Sequence, residues 1–120
     1  MIINLKRVYE PAEEKDGYRV LVDRLWPRGL NKAEARIDLW LKDAGPSPAL
    51  RKWFNHEPEK WDEFKKQYLA EMDNNRQLLQ SLLEENKKQK ITLLYASRDT
   101  EHNQAVLLKQ YLEMLVENWS

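Results

Sequence analysis

The run ITLLYA at positions 91–96 constrains the fold more than any other segment. It is apolar almost throughout, with none of the polar alternation of a strand that has one wet face, and this pattern marks a strand covered on both faces by helices. We therefore expect it to be the central strand of a sheet. Helical patterns lie on both sides of it. In PEKWDEFKKQYLAEM the residues Trp61, Phe64, Tyr68 and Met72 fall on one face opposite a dense Glu/Lys face, and Leu78, Leu79, Leu82 and Leu83 repeat the spacing. The cluster Asp73-Asn74-Asn75 can break or cap a helix, so two helices or one bent helix both fit. Beyond the run, Ala105, Leu108, Leu112, Leu115 and Val116 predict a last helix, with Asp99 or Thr100 able to cap its first N–H groups.

The first half of the chain reads as strands and loops. IINLKRVY at 2–9 and YRVLVD at 18–23 are rich in β-branched and aromatic residues, and Asp16-Gly17 marks the turn before the second. The intervening EPAEEKD is too short for a crossover helix, so the two strands are either antiparallel neighbours or separated within the sheet. In RLWPRGLNKAEAR, Pro27 holds Trp26 extended and Gly29 frees the backbone, giving a structured loop. Ile37, Leu39 and Leu41 alternate with polar or aromatic neighbours as in a short strand, although a helical turn starting near Asn31 also fits. Ser47-Pro48 has the chemistry of a helix start. Strands separated by helices, ending strand–loop–helix, predict an α/β fold. We expect one layered domain over residues 1–120, with a small, mostly parallel or mixed sheet of about four strands flanked by helices.

Composition removes several functions. Lys+Arg and Asp+Glu both number 20, so there is no global field to attract nucleic acid or an anionic membrane. The absence of cysteine excludes disulfides, thiolate metal sites and cysteine nucleophiles, and suits the cytoplasm. The first residues become charged too early for a signal peptide, and no stretch approaches the ~20 apolar residues of a membrane span. Glycine occurs only at 17, 29 and 45, which leaves no nucleotide-binding loop, and we expect no cofactor.

What remains is local. YRVLVD and ITLLYA each run into a polar loop: Asp23, Arg24 and Arg28 follow one; Ser97, Arg98, Asp99, His102 and Asn103 follow the other. Ligands of open α/β sheets bind beyond the carboxyl ends of strands, so two such loops on parallel neighbours would converge. Arg24, Arg28 and Arg98, with Asn103 beside them, would then ring a crevice suited to an anion, and the last helix would point its N-terminus there. Asp23, Asp99 and His102 are the candidates for handling protons. The competing reading makes Asp23, Arg24, Arg28, Arg98 and Asp99 an ion-pair network that ties the loops together. His56 is a weaker candidate, expected in a helix–helix connection, and no metal site is foreseen. Trp26 and Pro27 are expected to pack the loop, and the five tryptophans to lie mostly in the core.

Three segments, VDRLWPRGL, DLWLKDAGPSPALRKWFNHEPEKWDEF and LLYASRDTEHNQAVLL, together resemble the YeaO-like branch of the domain-of-unknown-function family numbered four-eight-eight. The resemblance spans most of the chain and implies a compact α/β fold without an established activity. It marks VDRLWPRG and SRDTEHN as characteristic segments, matching here Asp23, Arg24, Trp26, Pro27, Arg28, Gly29, Arg98, Asp99, His102 and Asn103. Longer relatives in the wider family look as though they carry cysteines near the end of the final strand; here that stretch is Leu94-Tyr95-Ala96-Ser97, so no thiol role transfers. Neither a methyltransferase loop nor a basic recognition helix is present.

The expectations are thus an enzyme-like or ligand-binding domain for a small anionic molecule, or an interaction module whose surface is the tryptophan-rich stretch from Trp40 through Trp53 to Trp61. A nucleic-acid role, suggested by the alternation in RLWPRG, is weaker because the net charge is zero.

Overall fold

The computed structural model of the chain describes residues 1–119. Four strands form one sheet: β1 (Ile3–Arg7), β2 (Tyr18–Leu21), β3 (Leu39–Trp40) and β4 (Ile91–Tyr95), in the spatial order β1-β4-β2-β3. Every pairing is parallel. The ITLLYA run therefore lies inside the sheet as β4, and all five of its strand residues are buried. Its position also decides between the two arrangements left open for the first two strands. They are separated, with β4 between them. The chain returns from the end of β1 to the start of β2 through a single 3-10 turn at Glu14–Asp16. Gly17 completes that return at φ +68°, where a Cβ would collide with the Lys90 carbonyl oxygen.

One face of the sheet carries the helical layer. Ile3, Val20, Ile91, Leu93 and Tyr95 point into a core shared with α2 (Pro48–Phe54), α3 (Trp61–Asn74), α4 (Arg76–Glu85) and α5 (Gln104–Glu117). Asn75 separates α3 from α4, so the long amphipathic stretch is two helices. Its side-chain amide donates to the Asp43 carbonyl at 3.0 Å. Ser47 caps α2 as expected, accepting from the Leu50 amide at 3.2 Å while its own N–H and hydroxyl donate to Glu71 at 2.7 Å each. The cap of α5 is Asn103, whose Oδ1 accepts from the Ala105 and Val106 amides, and not Asp99 or Thr100. Capping geometry requires extended backbone at the residue directly before the first turn, and here that residue is Asn103.

The opposite face corrects the expectation of helices on both sides. Val8, Leu21 and Leu94 are covered there by Trp26, Leu30 and Ile37, from the loop around the four-residue helix α1 (Lys32–Ala35). An apolar strand demands apolar cover, and a loop that pairs its own backbone groups supplies it as well as a helix does. This face also buries charge that the strand pattern did not advertise. Arg19 donates to Asp16 at 2.5 Å and to the Ala35 carbonyl at 2.7 Å, and Lys6 reaches both Asp16 oxygens at 3.1 Å. Burial opposes ionisation of Asp16, but the Glu13 amide, Lys6 and Arg19 together hold its carboxyl below the usual range. No buried side-chain donor or acceptor among the described residues lacks a partner.

None of the five tryptophans is fully buried: Trp26, Trp61 and Trp119 pack half-buried against the two cores, and Trp40 and Trp53 are exposed. Indoles with a polar edge settle at boundaries, where the ring packs and the N–H finds a carbonyl. Trp26 packs on the second face and donates to the Leu30 carbonyl at 3.2 Å, and Pro27 is buried beside it.

Candidate functional site

Because β2 and β4 are hydrogen-bonded parallel neighbours, the segments that leave them emerge at the same rim. There the Asp23 carboxylate accepts from the Ala96 amide at 3.0 Å and from the Gln104 side-chain amide, joining the ends of both strands to the first residue of α5. Burial pushes the Asp23 carboxyl up to about 6; the two hydrogen bonds and the nearby His56 offset only part of that. A pocket of about 290 Å³ opens beside it. Trp26 and Pro27 from the loop after β2, and Phe54 and Phe64 from α2 and α3, form its apolar walls. Arg51, His56, Ser97 and His102 add polar groups to the lining.

His102 is held by Asp99. One Asp99 oxygen accepts from the Glu101 and His102 amides at 2.9 Å each, and the other lies 3.0 Å from His102 Nδ1. Those backbone donors, with the imidazole, keep the Asp99 carboxyl below its ordinary value. The carboxylate orients the ring and engages Nδ1, which leaves Nε2 without a partner among the described residues. Trp61 supports the ring edge-on at 5.3 Å. His56 reaches the pocket by another route. Asn55 and His56 both adopt left-handed backbone, φ 47° and 55°, and so turn the chain sharply after α2. Such conformations are costly outside glycine, with Asn among the most tolerant residues.

The expected residues divide in two. Asp23, Arg24, His102 and Asn103 line the pocket, with Asp99 directly behind His102. Arg28 and Arg98 are exposed and stand outside the lining, so the ring of three arginines does not form. Arg24 spends its guanidinium on the Pro46 carbonyl at 2.9 Å and the Gly45 carbonyl at 3.0 Å, tying the β2 loop to the entry of α2. Asn103 is buried as the cap of α5, and its amide donates to the Asp99 carbonyl at 2.8 Å. Among the described residues these five charged groups form no salt bridge with one another: Asp23 accepts from Ala96 and Gln104, Arg24 reaches Asp43 at 3.8 Å, and Asp99 holds His102.

Arg51 is the residue that sequence reasoning missed, and His56 the one it undervalued. Arg51 has no side-chain hydrogen bond to another described residue; its position is set by the docking of α2, for which no local signal exists. For His56, the preceding Asn55 is the one local hint of a sharp turn. Among the described residues no group of three His, Asp or Glu side chains could hold a metal ion. The tryptophans of the central stretch have different neighbours. Trp40 lies edge-on to Trp26 at 5.4 Å and donates to the Asp23 carbonyl at 2.7 Å. Trp53 sits under Lys60, and Trp61 joins Phe54 and Phe64.

A family model described as the inactive DUF488-N3 subclade matches residues 2–119. The chain is 47% identical over 115 residues to the uncharacterized protein YeaO of Escherichia coli, covering 96% of this chain and 100% of that protein. It is 38% identical over 110 residues to the uncharacterized protein Rv3073c of Mycobacterium tuberculosis, covering 92% of each. No solved structure matches. No helix among the described residues is long and apolar enough to cross a membrane.

Proposed function

The chain belongs to the inactive DUF488-N3 subclade, and from that premise we propose that it is a non-catalytic domain that binds a small anionic molecule at the rim where β2 and β4 end. One observation carries the reading. The pocket has an apolar floor, a volume near the lower end of ligand sites, and the Arg51 guanidinium, the His56 imidazole and His102 Nε2, none of which has a hydrogen-bond partner among the described residues. Arg51 supplies the fixed positive charge, the two imidazoles supply directional hydrogen bonds, and Phe54, Phe64 and Trp26 receive an apolar or flat body. Arg28 and Arg98 have no part in it. We place this function in the cytoplasm, on the cysteine-free composition.

A thermal-shift screen of small carboxylates and phosphates tests the reading. A ligand at a hundred times its Kd adds about 2.7 kcal/mol, which is roughly 5–15 °C for a domain of this size. The combined substitution Arg51→Ala and His102→Gln should remove the shift. Ligands that stabilise the double variant as much as the unaltered protein would show that they bind elsewhere, and the reading would fall.

The Asp99–His102 pair favours a second reading, in which the pocket also turns over its ligand. An imidazole oriented through Nδ1 by a carboxylate, with Nε2 free, is the arrangement of a general base, and Asp23 is a second proton carrier across the pocket. The subclade's description as inactive weighs against it. Incubating each hit with the protein and following the ligand by mass spectrometry separates the two, because loss of ligand that depends on His102 supports turnover.

A further inference from the structure

Asp23, His56 and His102 surround one hollow, and we propose that an oxyanion binding there is accompanied by proton uptake, so that the pocket holds its ligand more tightly as the pH falls below neutral. This rests on the binding reading above and adds its regulation and its ligand class: a carboxylate or a tetrahedral phosphate-like anion carrying an apolar body.

Geometry makes the case. A carboxylate in the wall of an anion pocket repels the ligand while it is ionised, and becomes a hydrogen-bond donor to that ligand once protonated. Asp23 is built to stay in place in either state, because the Ala96 amide and the Gln104 side chain hold its two oxygens separately. No lysine or arginine forms a salt bridge with it among the described residues. Its own neighbour Arg24 is turned to the Gly45 and Pro46 carbonyls. From the end of α2, His56 and Arg51 share the pocket with it; from the loop before α5 comes His102, with Asp99 behind it. From α3, Tyr68 donates its hydroxyl to the Ala44 carbonyl and Glu71 is engaged by Ser47. Asp99 stays ionised through this range, because two backbone amides hold it. The wall group whose charge works against a bound anion is therefore the carboxyl of Asp23. Its protonation removes a negative charge from the wall. Burial alone already raises the Asp23 carboxyl to about 6, and a bound anion raises it further.

Isothermal titration of the full chain with benzoate and with sulfate, at pH 5.5 and 7.5 and in buffers of different ionisation enthalpy, tests this. Benzoate stands for carboxylates and sulfate for tetrahedral anions; neither titrates in that window, so any proton taken up belongs to the protein. We expect at least one of them to bind roughly tenfold more tightly at pH 5.5, with about one proton taken up per ligand near pH 7. Asp23→Asn should bind with a smaller proton uptake and a flatter pH dependence. Should that variant not fold, the proton count of the unaltered protein decides alone. Binding with pH-independent affinity and no proton exchange overturns the coupling and leaves the binding reading standing. Unchanged proton uptake in Asp23→Asn removes Asp23 from it. No binding of either anion at pH 5.5 overturns both.

Discussion

Replacing Asp23 with asparagine should make the protein more stable at neutral pH, although it deletes a hydrogen-bonded carboxylate. The carboxyl has a model value of 3.8 and is raised to about 6 in the folded protein, chiefly by burial. Folding therefore takes up a proton between those two values. The contribution of this group is most favourable below the lower value, declines as pH rises through the window from about 4 to 6, and levels off above about 7. A displacement of about two units corresponds to ~3 kcal/mol, and solvent reaching the half-buried side chain reduces that to ~2 kcal/mol. Asparagine avoids this cost and keeps the contacts: its Oδ1 accepts from the Ala96 amide, and its NH₂ donates to Gln104 once that amide turns over. Urea unfolding of both proteins at pH 4.5 and 7.5 is the assay. The variant should gain ~1–2 kcal/mol relative to the unaltered protein between those two pH values, with unchanged m-values. If it loses ground as the pH rises, the ionised carboxylate is favoured by its partners and the burial argument fails.

Other elements give sharper structural tests. Arg19→Met leaves Asp16 as a buried charge with one fewer partner and should cost ~3–5 kcal/mol by denaturant unfolding, part of it recovered by adding Asp16→Asn. Tyr68→Phe strands the Ala44 carbonyl, which accepts the Tyr68 hydroxyl at 2.6 Å, and should cost ~1–2 kcal/mol by the same assay. Gly17→Ala forces a side chain into positive φ against the Lys90 carbonyl and should lower stability by ~1–3 kcal/mol, seen as a drop in melting temperature. Asn103→Ala removes the cap of α5 and should cost ~1 kcal/mol, with faster hydrogen exchange at the Ala105 and Val106 amides.

Much of the architecture could be read from local pattern. ITLLYA declared a doubly buried strand, Ser47-Pro48 declared a helix start, and the spacing of Trp61, Phe64, Tyr68 and Met72 declared a helix. Each of these rests on a period or a cap that a few consecutive residues carry in full. Where the cover of the second sheet face was concerned, the same reasoning failed, because apolar demand on one strand does not specify whether a helix or a loop meets it. The Asp16–Arg19–Lys6 network escaped notice for a related reason: Lys6 lies on β1, while Arg19 lies on β2 and Asp16 just before it, and β4 runs between those strands.

The site followed the same division. That polar loops follow two apolar strands was legible from the residues alone, since chain order makes Asp23 follow β2 and His102 follow β4 wherever those strands end. Which charges face the hollow was not. Arg28 and Arg98 sit in those same loops but outside the pocket lining, while Arg51 and His56, distant in sequence, are carried to the pocket by α2 and the left-handed turn after it. Spacing along a chain fixes which residues share a strand end or a helix face. Direction across a shared cavity depends on how α2 docks against the sheet and on which guanidinium a neighbouring carbonyl captures first, and both are properties of packing that no stretch of sequence contains by itself.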